Sequence, residues 1–134
     1  MKKLLESGLL LALTTGATAS IADPLPKEGS VIFSNLCESD GGDMSGYRVT
    51  ITRQRSDIQV VVDFNDSGPD GKATARGVKY DQVSGKLSFR FKGDLPHDFS
   101  GTVSASALKG DFDGKGVTLP AIKAVPRNLP PCYP

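Results

Sequence analysis

From Val31 to Ile122 apolar and polar side chains trade places residue by residue, a two-step period that suits half-buried strands and no helix. Tyr47, Val49 and Ile51 alternate with Arg48, Thr50 and Thr52, and Ile58, Val60, Val62 and Phe64 with Gln59 and Asp63. Leu87, Phe89 and Phe91 alternate with Lys86, Ser88, Arg90 and Lys92. Ala73 and Ala75 open a fourth run whose apolar set continues one step out of phase at Val78 and Tyr80, and Gly77 stands where a β-bulge would absorb the slip. Phe99 to Ala105, Leu108 to Phe112 and Val117 to Ile122 follow, the last carrying Pro120 as the mark of an edge or bulge, and Val31 to Leu36 precedes them all. That makes eight short strands.

Turn residues punctuate every junction: Asp40-Gly41-Gly42-Asp43, Arg55-Ser56-Asp57, the run from Asp66 to Gly71, Ser84-Gly85, the run from Gly93 to Asp98, Ala107, and Asp113-Gly114-Lys115-Gly116. Links this short join antiparallel neighbours. The predicted fold is therefore all-β, a small antiparallel up-and-down β-barrel of about eight strands, with a β-sandwich as the alternative. The face opposite the bulky residues carries Arg48, Lys72, Arg76, Lys86, Arg90 and Lys92, which places the apolar face inside and argues against a barrel that crosses a membrane.

The start of the chain reads as an export signal. Met1-Lys2-Lys3 is positive, Gly8 to Leu13 is apolar, and small-x-small patterns end at Ala19 and Ala22. Cleavage after Ala22 makes residues 1–22 a signal peptide and 23–134 one barrel domain with Pro-rich N- and C-terminal arms, leaving no integral membrane segment. The expected location is a bacterial periplasm or the medium. In such an oxidising compartment two cysteines in a small domain pair, so Cys37 and Cys132 are expected to form one disulfide that ties the first strand to the tail and closes the barrel.

Lys plus Arg number 16 against 15 for Asp plus Glu, and removing Lys2, Lys3 and Glu6 leaves 14 against 14. That balance gives no support to nucleic acid as a partner. With no Trp and one His, the chain is short of catalytic side chains. His97-Asp98 would need a nucleophile and an orienting partner, and neighbours in a turn diverge, so the expectation is a protein that is not an enzyme. No CxxC spacing offers a metal pair, and Asp66 to Gly71 fails as a calcium loop because Gly68 and Gly77 occupy its third and twelfth positions. No cofactor or metal is expected.

In an up-and-down order alternate loops emerge at the same end, which gathers Glu38, Asp40, Asp43, Asp66, Asp70, Asp94, Asp98, Asp111 and Asp113 on one rim, with Lys72, Lys92, Lys115 and His97 nearby. The opposite end holds Arg53, Arg55, Lys79, Lys86 and Lys109 against Asp57 and Asp81. Turn chemistry alone favours Asp in such loops, yet the other end uses Arg, Ser and Lys. The acidic rim is the candidate binding site, and its expected partner is a basic envelope or extracellular protein, which the chain would bind for example as an inhibitor, or a cation.

The small inward residues Ala73, Ala75, Gly101, Ala105 and Gly110 offer a second site. Either they leave room for a small apolar ligand, making the chain a carrier, or they offset Phe64, Phe89, Phe91, Phe99 and Phe112 in a packed core. The packed core is the expectation. Phe99 to Val103, Leu108 to Phe112 and Val117 to Leu119 resemble the closing strands of small calycin-like barrels over about 20 residues, which implies a barrel. Ser45-Gly46-Tyr47 superficially resembles the Ser-Gly-containing loop of exported lysozyme inhibitors. No residue role is carried over from either.

Overall fold

A computed structural model describes residues 23–65 and 71–132. The predicted signal peptide, together with Asp66 and Asp70, lies outside the described residues. In chain order the strands are β1 (Glu28–Ser34), β2 (Cys37–Glu38), β3 (Met44–Ser45), β4 (Arg48–Gln54), β5 (Asp57–Asp63), β6 (Lys72–Thr74), β7 (Arg76–Tyr80), β8 (Lys86–Lys92), β9 (Pro96–Val103), β10 (Ala107–Phe112) and β11 (Lys115–Ile122). Nine of them form one antiparallel sheet in the order β6-β5-β4-β1-β11-β10-β9-β8-β7, while β2 and β3 form a separate hairpin.

That order is an up-and-down barrel. β1 pairs along its length with β4 and, at Ile32 with Ile122 and Phe33 with Ala121, with β11. The sheet's two end strands, β6 and β7, follow one another in the chain, separated by Ala75, whose N–H donates to the Val60 carbonyl at 2.8 Å. One run from Lys72 to Tyr80 thus lies on β5 with its first half and on β8 with its second, bringing the sheet nearly full circle. The phase slip read from the sequence is present: Gly77 has φ +62° and the β7–β8 register shifts between Arg76 and Lys79. Counting this run once, the eight expected strands are all found. Pro120, which has no N–H to give, sits where the pairing between β11 and β1 stops.

Alternation sends Val49, Ile51, Val60, Val62, Leu87, Phe89, Phe91, Phe99, Leu108, Phe112 and Leu119 into one core. The small inward residues are packing offsets: a Cβ on Gly101 would come within 2.7 Å of the Phe99 ring, and one on Gly110 within 2.9 Å of it. Phe99 therefore fills the space that a ligand would need. Ala105, read as inward, is instead exposed in the short β9–β10 turn, because β9 ends at Val103 and Ser104 bonds across to Ala107.

Both arms are fixed to the barrel rather than extended from it. Leu25 is buried in the core, and beside it the Asp23 carboxylate accepts from the Tyr80 hydroxyl, the Leu25 N–H and Arg53 Nη1, the last at 2.6 Å. At the other terminus Cys132 is bonded to Cys37, closing a sequence separation of 95 residues. The tail also runs beside β2: Glu38 N–H donates to the Pro130 carbonyl at 2.8 Å, and Cys132 N–H to the Glu38 carbonyl at 3.1 Å.

Candidate functional site at the acidic end

The meander brings the β1–β4, β8–β9 and β10–β11 connections to one end, and the contacts beneath them demonstrate it. Tyr47 stacks on Phe112 with centroids 3.9 Å apart and planes 9° from parallel. Phe64 meets Phe91 and His97 edge-on, and His97 stacks on Phe91. This aromatic layer floors the rim and closes the core from that side.

Above it stands the β2–β3 hairpin, with Glu38, Asp40 and Asp43 all exposed. Its shape is fixed locally by Ser39, whose N–H donates to the Asp43 carbonyl while its hydroxyl accepts from the Asp43 N–H. At its base Asn35 and Tyr47 exchange bonds: Asn35 N–H donates to the Tyr47 carbonyl at 3.0 Å, and Tyr47 N–H to Asn35 Oδ1 at 2.8 Å. Gly46 makes this approach possible, with φ +94° and a would-be Cβ only 2.7 Å from the Asn35 carbonyl oxygen. Asn35, Ser45, Gly46, Tyr47, Phe64 and Asn65 line an open cleft of about 340 Å³ at the hairpin's foot. The cleft went unread in the sequence; the lone Gly46 between Ser45 and Tyr47 was its one local signal.

The nine carboxylates assigned to the rim divide into distinct groups. Glu38, Asp40, Asp43 and Asp94 are exposed in its connections. Asp98 and Asp111 lie within β9 and β10, opposite Arg90 and Ser100 respectively, so they belong to the outer wall. Asp113 is committed to the fold: its Oδ2 sits 2.7 Å from His97 Nδ1 and its Oδ1 accepts the Asp98 N–H at 2.8 Å. Burial pushes the Asp113 carboxyl up, but the His97 and Asp98 hydrogen bonds and the nearby positive charge outweigh it and hold the group below the ordinary carboxylate range. Burial, and then the charge of Asp113, raises the Tyr47 phenol. His97 thus pairs with Asp113, sixteen residues away, and not with its neighbour Asp98.

The other end also differs from its sequence reading. Arg53, assigned to a basic rim, is buried and held by Asp23 and Gln82. Lys79 and Lys86 line the outer wall. The described residues contain no group of three or more His, Cys, Asp or Glu side chains able to hold a metal ion, and no described helix is long and apolar enough to cross a membrane.

No family model, curated protein or solved structure matches this chain.

Proposed function

We propose that the chain is an exported, non-enzymatic binding protein that engages a basic protein through the β2–β3 hairpin and the adjoining cleft. One observation carries this reading: Glu38, Asp40 and Asp43 stand exposed on a two-stranded projection that is fastened to the tail by the disulfide and by backbone bonds on both sides of Glu38. Carboxylates held in place present a field to a basic surface without the ordering cost that a loose loop would incur. The disulfide and the absence of a membrane-spanning helix among the described residues are compatible with a periplasmic or extracellular location.

A protein surface is favoured over a bare cation because these acids are spread along a hairpin and make no metal-ligating group among the described residues. The filled interior around Phe99, for its part, offers nothing in favour of an apolar-ligand carrier. The test is capture of envelope or extracellular proteins at low and moderate salt by wild type and by E38Q/D40N/D43N, followed by titration of the purified partner. The wild type should lose its partner as ionic strength rises, and the triple variant should bind weakly at every salt concentration. Equal capture by both would end the reading.

A further inference from the structure

Outward-facing residues of β7 and β8 form a second charged surface, on the barrel wall and away from the rim. Phe89 and Phe91 point inward, so Lys86, Ser88, Arg90 and Lys92 point out. Across the β7–β8 ladder Lys79 lies opposite Ser88, and Arg76 lies opposite Arg90. Lys86, Arg90 and Lys92 on β8, with Lys79 of β7 standing opposite Ser88, therefore make a row of cations whose steps are about 7 Å and whose length is about 20 Å. Two open grooves run beside this row and share Lys79 and Ser88 as lining; the larger is about 470 Å³.

A second observation points to an anion there. Like charges placed directly opposite on an antiparallel pair repel, and Arg76 and Arg90 are so placed, both exposed. Arg90 also faces Asp98 on β9, yet no ion pair joins them among the described residues. The Arg90 guanidinium lies instead over Gly77, 3.5 Å from where a Cβ would be, so the bulge clears a place for it on the Arg76 side. The facing pair gathers two forked donors that one bridging carboxylate, sulfate or phosphate would satisfy together.

We propose that this wall binds a linear acidic polysaccharide, laid along β8 with its anionic groups on the cation row. Ser88, Ser100 and Thr102 line the grooves and supply hydroxyl partners for sugar. Among the described residues lining the grooves, Phe89 and Phe99 are buried, and Tyr80 is half-buried with Arg53 over its ring, so no fully exposed aromatic ring stands there as a stacking platform for bases. The proposal is independent of the rim reading, because none of these residues lies in the hairpin or its cleft.

The experiment titrates the protein with polygalacturonate, neutral dextran and a single-stranded oligonucleotide at several salt concentrations. Polygalacturonate should bind, with the slope of log affinity against log salt falling by about one for each cation contact removed. R76Q/K79Q/K86Q/R90Q should weaken binding by at least about tenfold, while E38Q/D40N/D43N should leave it unchanged or strengthen it. R76Q alone, which should fold whatever the quadruple variant does, should weaken binding and also raise the melting temperature at low salt by removing the facing charge. Unchanged binding by R76Q and by the quadruple variant, equal binding of neutral dextran, or preference for the oligonucleotide would each overturn the proposal.

Discussion

The two ends of the barrel are closed by opposite means. At one end the N-terminal arm turns in, burying Leu25 and pairing Asp23 with Arg53 and Tyr80, so its charges face each other and are consumed. At the other an aromatic layer does the sealing, and the acids of the hairpin above it are left exposed. Charge serves as an internal fastening in the first case and as an outward surface in the second. Similar residue types in similar turn-rich segments thus take different roles according to whether a partner of opposite sign is within reach.

The contrast can be broken at several points. The disulfide belongs to the acidic end, and Cys37→Ser with Cys132→Ser should lower unfolding free energy by about 4.7 kcal/mol, the chain-entropy value for a loop of this size. Equilibrium denaturation measures it, and a loss below about 1 kcal/mol would mean that the tail's backbone bonds to Glu38 suffice. Phe99→Ala, between the two ends, should cost about 3–5 kcal/mol as a large cavity opens over Gly101 and Gly110.

At the sealed end Asp23→Ala leaves the buried Arg53 guanidinium without its carboxylate and should cost about 3 kcal/mol, with no effect on partner capture. At the acidic end Gly46→Ala should cost about 1–3 kcal/mol, since its φ of +94° and the nearby Asn35 carbonyl both resist a side chain, and it should also disturb the cleft.

Acid should act on both ends. Burial raises the Asp23 carboxyl, but bonds from Tyr80, Arg53 and Leu25 outweigh it, so its folded pKa, like that of Asp113, lies below the ordinary value. Each group stabilises the fold in full above its unfolded pKa near 4, and that contribution is lost as pH falls through the lowered folded value. Melting temperature should decline below about pH 4, and less steeply in Asp23→Asn and Asp113→Asn. The smallest effect belongs to E38Q/D40N/D43N, which should shift stability by no more than about 0.5 kcal/mol while weakening capture.

The barrel was legible because alternation reports one buried face directly, as in Leu87, Phe89 and Phe91. The Gly77 slip was legible for the same reason: a bulge changes the phase of that alternation. The hairpin β2–β3 was not, because two residues per strand are too few to alternate. The rim was only half legible. Connectivity put the right loops at one end, but the sequence does not say that Asp113 meets His97, that Asp98 lies opposite Arg90 on the wall, or that Arg53 turns to Asp23. Those relations are set by strand register and tertiary packing, and the alternation pattern carries no record of them.

The run from Lys72 to Tyr80 changes partner at Ala75, and this bears on how the ring is made and unmade. Its first half needs β5 and its second half needs β8, so it works as a clasp that can fasten only when both flanking halves of the sheet already exist. Its release from β5 or from β8 is a route by which the ring can part while the β4–β5 and β8–β9 ladders stay intact. Slow hydrogen exchange at Val61, whose amide faces β4, and at Phe89, whose amide faces β9, combined with faster exchange at Ala75 would record that parting, the wall opening along one line while each panel beside it holds.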